Sequence, residues 1–451
     1  INTIGHKMRK SNVFPRHSSY DLPNAVGGDG CYIIDEKGKR YLDASGGAAV
    51  SCLGHSDKTI QKAIIEQTEK LAFAHTSFFT SEPAELLANL LAKHSPEGLD
   101  KVYFVSSGSE AVESSLKLAR QYFVEIGKPK KHKVISRRQS YHGNTLGALA
   151  AGGNVWRRSF FEKLLVETSL ISPCYPYRHQ TQDETELEYG LRVANELEEE
   201  IINLGPENVM AFIAETVVGA TAGALTPVSG YFKRIREICY KYNVLLILDE
   251  VMCGMGRTGS LFACDEEDVI PDILTIAKGL GAGYQPIGAM ICQNFIYDAI
   301  ANGSGFFQHG HTYLGHPVAC AASLSVLNKL VNENFSSQVK EKGRQLQKNL
   351  ELHLGQNQYV GNIRGRGLFR GVEIVNDRST KKPFPKRLNI AGKIKKQALD
   401  IGLICYPMQG TADGVEGDHI LIAPPFIINE AEINELSTKL KSTIDLVCNQ
   451  I

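Results

Sequence analysis

The sequence predicts an α/β fold in which helices cover both faces of a mostly parallel β-sheet, with a smaller α+β domain attached. From about residue 100, short apolar runs alternate with helical stretches, which is typical of a parallel sheet. The apolar runs are continuous rather than alternating, as in strands buried on both faces. With 451 residues, the chain also exceeds what one hydrophobic core usually holds, so we expect two domains.

The region before residue 100 predicts a hairpin and two helices. Residues 30–43 contain two alternating segments on either side of Gly38, which can adopt a positive φ angle in a turn. A helix is predicted from about Lys58 to Leu71. A second helix is predicted to begin near Ser81, whose hydroxyl is placed to cap it.

The alternating region predicts six strands and three intervening helices. The strands are 101–106, 133–136, 209–217, 244–251, 272–278 and 289–292, and the helices are 110–126, 189–204 and 230–242. A helical stretch at 317–354, a β-rich segment at 359–375 and a last helix at 430–448 follow. We therefore assign residues 61–330 to the large, cofactor-binding domain, and residues 1–60 and 331–451 to the small domain.

Charge and cysteine usage narrow the class of protein. Lys and Arg together number 49, as do Asp and Glu, and a zero net charge argues against nucleic-acid or membrane partners. The ten cysteines show no C-x-x-C spacing, and no apolar run approaches the length of a membrane span. Together with the lack of a signal peptide, this predicts reduced thiols and a cytoplasmic location. Whether a targeting segment precedes Ile1 is left open.

An acid and an amine follow two of the predicted buried strands. The run 244–248 ends in Asp249, and the run 272–277 ends in Lys278. Open α/β sheets bind ligands at the carboxyl ends of their strands, so both side chains are expected at a ligand site. A buried lysine is costly unless it is paired, neutralised or used covalently. The alternative to a reactive lysine is that Lys278 forms an ion pair with an aspartate or extends its amine to solvent.

Other strand ends bring further polar groups to the same edge. Small residues before the helix at 110–126 predict an anion site at its N-terminus, with a plain serine cap as the alternative. An aromatic ring beside an imidazole follows the next strand, with a core aromatic as the alternative, and a carboxylate follows the third. These residues are Ser107, Gly108, Ser109, Tyr141, His142, Gly143 and Glu215.

Two further motifs are set aside. Residues 254–259 fit G-x-G-x-x-G, but the acidic, irregular segment after them lacks the helix that a dinucleotide needs. His309, His311 and His316 have no acidic or thiol partner at a ligand-like spacing, so we predict no metal site.

One cofactor needs all of the remaining groups. Pyridoxal 5'-phosphate requires a lysine, an acid for its pyridine nitrogen, a phosphate cup and an aromatic surface for its ring. Lys278 and Asp249 supply the first two, Gly108 and Ser109 the cup, and Tyr141 the surface.

The chain resembles the class III aminotransferases, pyridoxal-phosphate enzymes of fold type I, and within them the ω-aminotransferase or amine:pyruvate group. The resemblance covers nearly the whole chain. It rests on motifs in the family's order: SGSEAVE at 107–113, YHG at 141–143, LDEVMCGMGRTG at 248–259, AKGLGAGYQPIG at 277–288, HTYLGHP at 311–317 and GDHILIAPP at 417–425. A mostly parallel seven-stranded sheet is implied.

The resemblance also implies roles. Lys278 would be the Schiff-base lysine and the proton-transferring base, Asp249 would pair with the pyridinium, and Glu215 would organise the site. The expected cofactor contacts are Ser107, Gly108, Ser109, Tyr141, His142, Gly143, Glu215, Asp249, Val251, Lys278 and Thr312, with Val251 and Tyr141 on opposite faces of the ring. Thr312 would come from the second subunit of a homodimer with shared active sites.

Three departures from the family pattern concern the substrate. Relatives that use γ-aminobutyrate or ornithine often have arginine where this chain has Asn144, and glutamine where it has Met252. Many amine:pyruvate enzymes have a mobile arginine in the segment matching 404–419, and this segment contains none. How the carboxylate of the acceptor is held is therefore open. Arg364, Arg366 and Arg370 are candidates for binding this carboxylate. The alternative is that each has only a structural role.

The predicted activity is ping-pong transfer of an amino group from a primary amine or ω-amino acid to a 2-oxo acid such as pyruvate. A decarboxylase, racemase or aminomutase with the same cofactor is the nearer alternative. A nucleotide-dependent oxidoreductase or a non-catalytic binding protein is the distant one. Aromatic residues expected to line the donor pocket are Tyr20, Phe78, Phe79 and Trp156.

Overall fold

The computed structural model describes residues 11–18 and 20–451, and its strands form three sheets. The strands are β1 (Ala25–Asp29), β2 (Tyr32–Asp35), β3 (Arg40–Asp43), β4 (Leu99–Val105), β5 (Lys133–Arg137), β6 (Ser169–Ile171), β7 (Val209–Glu215), β8 (Leu245–Asp249), β9 (Ile273–Ile276), β10 (Gly288–Gln293), β11 (Val360–Arg366), β12 (Phe369–Ile374), β13 (Leu403–Ile404), β14 (Tyr406–Gln409) and β15 (Asp418–Ile422).

The helices include the amphipathic stretches of the sequence and several short segments without periodicity. They are α1 (Gly46–Ala49), α2 (Lys58–Lys70), α3 (Glu82–His94), α4 (Gly108–Glu125), α5 (Leu146–Ala151), α6 (Val155–Arg158), α7 (Pro176–His179), α8 (Glu186–Leu204), α9 (Tyr231–Tyr242), α10 (Asn294–Asn302), α11 (Pro317–Asn332), α12 (Phe335–Leu354), α13 (Ile390–Asp400) and α14 (Glu430–Cys448). None of the helices in the described part of the chain is long and apolar enough to cross a bilayer.

The central sheet has seven strands in the order β4-β10-β9-β8-β7-β5-β6. Only β10 runs antiparallel to its neighbours, and the remaining adjacent pairs are parallel. The predicted mostly parallel seven-stranded sheet is thus confirmed. Strand β6 was not predicted, because its three residues, Ser169–Ile171, are too few to show a pattern. The sheet brings the carboxyl ends of β4, β5, β7, β8 and β9 to one edge.

Several predicted boundaries are wrong for local reasons. Strand β9 ends at Ile276 rather than 278, because Lys278 has a φ of 45°, in the left-handed region that no strand continues through. The helical stretch 317–354 is two helices, separated where Asn334 has a φ of 52°. Ser81 occupies the N-cap of α3 as predicted, but its side chain forms no capping hydrogen bond.

One of the two smaller sheets joins the N-terminal and C-terminal parts of the chain. Strand β3 pairs in parallel with β13, so that Leu42 lies opposite Leu403. The other sheet, β11-β12-β15-β14, is antiparallel. The first pairing fits the assignment of residues 1–60 to the small domain, which remains a prediction. Residues 1–10 of that segment lie outside the described residues.

A buried ionic network connects β12 to the loop and short helix around residue 175. Glu373, fully buried on β12, lies 2.6 Å from Arg178 and 2.5 Å from Arg364 and accepts a hydrogen bond from Tyr175. Arg364 also donates to the carbonyl of Gly223, 2.9 Å away. Every member of the network therefore has a partner, which is the condition for burying charge at low cost.

Replacing Glu373 with alanine should destabilise the protein strongly. Removing one member of a buried ion pair leaves two guanidinium groups without their carboxylate, and this typically costs about 3–5 kcal/mol of unfolding free energy. Chemical denaturation monitored by circular dichroism would measure the loss. The matched control is Asp400→Ala, which removes an exposed pair with Lys396 and should change little. Equal losses in the two variants would contradict this role of Glu373.

Candidate active site

A cavity of about 340 Å³ lies at the strand edge where the polar side chains were predicted. Ten of the eleven expected cofactor contacts line it: Ser107, Gly108, Ser109, Tyr141, His142, Gly143, Glu215, Asp249, Val251 and Lys278. Because the parallel strands end together, residues far apart in the sequence meet here. The eleventh, Thr312, does not line this cavity.

Asp249, the last residue of β8, is held by three donors. Its Oδ2 atom lies 2.7 Å from Nδ1 of His142, and its Oδ1 atom accepts from the backbone N–H of Val251 and the hydroxyl of Thr275, at 3.0 and 3.2 Å. Both Asp249 and His142 are buried. His142 therefore lies behind the carboxylate and orients it, which its position on the rim of the sheet did not reveal.

Glu215, the last residue of β7, accepts hydrogen bonds from two backbone segments. Its Oε1 atom accepts from the N–H of Tyr141 at 3.2 Å, and its Oε2 atom accepts from the N–H of Gly219 at 3.1 Å. Burial raises the pKa of Glu215, and the neighbouring Asp249 raises it further, while His142 lowers it. The carboxyl group thereby fixes the backbone that carries the Tyr141 ring.

Lys278 follows β9, and its side-chain amine forms no ion pair or hydrogen bond with any residue in the described part of the chain. Burial lowers the pKa of this amine to about 8. The negative charge of Asp249 opposes that shift, and the positive charges of Arg157 and Arg16 add to it. The ion-pair alternative is thus not what the structure contains, and the amine is available for chemistry.

The N-terminus of α4 forms the other end of the cavity. Ser107 is its N-cap, and the hydroxyl accepts from the N–H of Glu110 at 3.2 Å, so the plain cap is also present. The N–H groups of Gly108 and Ser109 have no acceptor among residues 11–18 and 20–451. A Cβ atom on Gly108 would lie 2.6 Å from Cγ1 of Val251, so glycine lets the start of α4 pack closely against Val251. Such an N-terminus suits a phosphate group.

These groups fit pyridoxal 5'-phosphate. An amine of lowered pKa, a buried and oriented carboxylate and two unpaired N–H groups at a helix start all face one cavity. Tyr141 and Val251 supply the surfaces for a flat ring. The residues present therefore match the four requirements that the sequence suggested.

Several other predicted residues lie elsewhere. Thr312 is exposed and lines a separate surface cavity with residues 74–77 and 306–311. None of the four aromatic candidates for the donor pocket, Tyr20, Phe78, Phe79 and Trp156, lines the Lys278 cavity. Trp156 lines an adjoining cavity of about 810 Å³ that shares Arg16, Arg157 and Tyr406 with it.

The three arginines considered for the substrate carboxylate are occupied. Arg364 pairs with Glu373, Arg366 pairs with Glu266 and Glu267, and Arg370 donates to the carbonyls of residues 343, 365 and 367. None of them lines the Lys278 cavity, so the structural alternative holds for all three. Arg157 and Arg16, which do line it, were missed, because nothing in the sequence places them near a strand end.

The segment matching G-x-G-x-x-G is a series of turns. Residues 254–259 are followed by the short 3-10 helix Ala263–Glu267 rather than by an α-helix. Arg257, within it, is buried and donates to the carbonyls of Leu368 and Pro424. The segment therefore contacts residues 368 and 424 and lacks the helix start that a dinucleotide pyrophosphate requires.

The sequence and the fold of this chain resemble those of known proteins over most of their length. The family model described as aminotransferase class-III matches residues 15–444. An uncharacterized aminotransferase of Schizosaccharomyces pombe is 45% identical, covering 98% of this chain and 97% of its own. The chloroplastic gamma aminobutyrate transaminase 3 of Solanum lycopersicum is 37% identical, covering 96% and 83%. The structure of the omega transaminase from Pseudomonas jessenii in complex with PMP aligns with a TM-score of 0.91 at 32% identity, covering 97% of each chain.

Proposed function

Because the chain belongs to the class III aminotransferases, a family of pyridoxal-phosphate-dependent enzymes with the type I fold, we propose that its donors are primary amines or ω-amino acids and that its acceptor is a small 2-oxo acid such as pyruvate. The reaction class, amino transfer, is that of the family. The observation that carries the proposal for the site is the unpaired amine of Lys278 opposite the oriented carboxylate of Asp249 in one cavity.

We assign a holding role to each wall of the cavity. The N–H groups of Gly108 and Ser109 would hold the phosphate of the cofactor, together with Thr312 of the partner subunit. Tyr141 and Val251 would contact the two faces of its ring. When bound, the cofactor supplies an electron sink for the bond that breaks at the amine-bearing carbon of the donor. Asp249, oriented by His142, would keep the ring nitrogen protonated.

Lys278 would move the proton. Its amine accepts a proton in its neutral form, and the lowered pKa makes that form accessible near neutral pH. Glu215 would hold the Tyr141 backbone in place while the proton moves. It accepts a hydrogen bond from the N–H of Tyr141 and, among the described residues, none from Lys278. Asp249 and Lys278 thus act at opposite ends of one bound ring rather than on each other.

The lowered pKa of Lys278 predicts the pH dependence of cofactor uptake. Only the neutral amine can add to the aldehyde of pyridoxal phosphate. The rate at which the apoenzyme takes up the cofactor should therefore rise with pH and level off above about pH 8. At pH 7, roughly one amine in ten is neutral with this pKa, against roughly one in three thousand for an ordinary lysine. Stopped-flow absorbance at a series of pH values measures the profile. A rate that still climbs tenfold per unit above pH 9 would contradict it.

We further propose a homodimer in a reducing, cytoplasmic environment. The surface cavity around Thr312 and the exposed aromatic residues Phe78 and Phe79 suit a contact with a second copy of the chain. All ten cysteines are unpaired and buried, which suits a reducing compartment. Sedimentation of the purified protein would test the first proposal, and a monomer with full activity would refute shared active sites.

A donor panel tests the proposed substrates. The panel includes γ-aminobutyrate, β-alanine, simple primary amines and α-amino acids other than alanine, each with pyruvate, and alanine is the product measured. We expect alanine from at least one primary amine or ω-amino acid. Alanine from α-amino acids alone would refute the donor class while leaving the family assignment intact.

A further inference from the structure

An acceptor 2-oxo acid always carries a carboxylate, and a site that selects such acceptors needs a cation to bind it. Four residues that can be cationic line the described part of the Lys278 cavity: Arg16, His142, Arg157 and Lys278. The ring of His142 forms a hydrogen bond with Asp249, and Lys278 is the reactive amine. Two arginines therefore remain.

The backbone of Arg157 is firmly held. It lies in the short helix α6, where its N–H donates to the buried side chain of Asn154 at 3.2 Å. The next residue, Arg158, donates to the carbonyls of Ala150 and Gly152, both at 2.6 Å, and so ties α6 to α5. The position from which the Arg157 side chain reaches the cavity is thus set by groups outside the cavity.

The guanidinium of Arg157 is oriented by two rings. Its Cζ atom lies 4.5 Å from the centre of the Tyr141 ring and 4.7 Å from that of Trp156. Contact of this kind holds the charged group beside the rings without using its N–H donors. Tyr141 is the same residue that faces the cofactor position, so the guanidinium lies beside the reacting centre.

The donors of this guanidinium have no partner. Its Nε atom is buried without a hydrogen bond, and no other side-chain nitrogen of Arg157 bonds to any residue of the described chain. The two carboxylates of the cavity, Asp249 and Glu215, are engaged by His142 and by backbone N–H groups. The buried Nε donor, facing the cavity beside two rings, is free to donate to a ligand or to water.

We propose that Arg157 binds the carboxylate of the 2-oxo acid acceptor and thereby selects 2-oxo acids over simple aldehydes and ketones. This inference rests on the proposed function. The planar guanidinium offers paired donors that match a carboxylate. Arg157 would take the task that other members give to the arginine replaced here by Asn144 or to a mobile arginine in the segment matching 404–419. Arg16, an exposed residue that also lines the cavity, adds positive charge and has no ring contact of this kind among the described residues.

The test separates the two half-reactions. In the first half-reaction, the holoenzyme takes up the amino group of a primary amine that lacks a carboxylate. In the second, pyruvate or propanal accepts that amino group and returns the enzyme to its starting form. For Arg157→Gln we expect the pyruvate step to lose about 10²-fold in kcat/KM, since charge-assisted hydrogen bonds are lost. The amine step and the propanal step should lose far less than the pyruvate step and by similar factors, because Arg157 affects them only through the pKa of Lys278 and the Tyr141 ring. Arg157→Lys should recover part of the loss, because it restores charge but not the paired geometry.

A binding measurement removes the dependence on turnover. Isothermal titration of the holoenzyme with propanoate should show weaker binding to Arg157→Gln than to the wild type, while propanamide should bind both equally. Arg16→Gln tests whether charge alone is responsible, and we expect a smaller effect on the pyruvate step. An equal loss in Arg16→Gln, or a retained pyruvate step in Arg157→Gln, would overturn the assignment. No transfer by the wild type from any donor would instead refute the proposed function.

Discussion

Replacing Lys278 with alanine is expected to lower kcat/KM for amino transfer by at least about 10⁴-fold, because one amine serves as both attachment point and proton carrier. The visible absorption of lysine-bound cofactor should disappear as well. Folding should survive, since the Lys278 side chain has no hydrogen-bond or ion-pair partner among the described residues that would be left unpaired. Steady-state kinetics with the best donor, combined with absorbance spectra, measures both effects.

Lys278→Arg is the matched control for charge. It keeps the positive charge near Asp249 but cannot attach an aldehyde, so it should be as inactive as the alanine variant. Retention of substantial activity by Lys278→Arg would mean that the lysine contributes only its charge. Attachment of the cofactor and proton transfer by the Lys278 amine would then be excluded.

Asp249→Asn should produce the second-largest loss, on the order of 10³-fold in kcat. The amide has nearly the same shape as the carboxylate but carries no negative charge, so the ring nitrogen of the bound cofactor would no longer be held protonated. If the amide turns its oxygen toward His142, its NH2 group meets the N–H of Val251, which now donates to Oδ1 at 3.0 Å. Single-turnover kinetics with saturating cofactor separates this loss from any weakening of cofactor binding.

The adjacent carboxylate offers a matched control for Asp249. Glu250 is fully buried, and burial raises its pKa to about 7, yet it does not line the Lys278 cavity. It accepts from Thr216 and from the N–H groups of Ala263 and Cys264. Glu250→Gln should therefore reduce stability but leave the activity per folded site within a few-fold of the wild type. A comparable loss of activity in both variants would mean that any buried carboxylate change here disrupts the site.

The sequence predicted the central sheet and the principal side chains of the site for one physical reason. Continuous apolar runs mark strands buried on both faces, and parallel strands end at a common edge. Asp249 and Lys278 follow two such runs directly, so their meeting could be inferred without a structure. Glu215 and the start of α4 were found in the same way.

What the sequence could not supply depends on side-chain direction and on segments without periodicity. His142, expected as a cofactor contact, lines the Lys278 cavity, but the hydrogen bond of its ring with Asp249 depends on packing that the sequence does not reveal. Arg157 lies in a four-residue helix that shows no pattern, and its role follows from the two rings beside it. Trp156 was named as a pocket residue, and it lies in the adjoining cavity as the neighbour of Arg157.

The most direct test of the central claim is a half-reaction without acceptor. Holoenzyme mixed with excess amine donor alone should release one equivalent of carbonyl product per active site and then stop, and added pyruvate should restart release with an equal yield of alanine. This is the behaviour of an enzyme whose bound cofactor would carry the amino group from donor to acceptor in two separate steps, with Lys278 moving the proton in each. Continuous product release without pyruvate, or loss of carbon dioxide from an amino-acid donor, would contradict amino transfer and favour a different reaction at the same site.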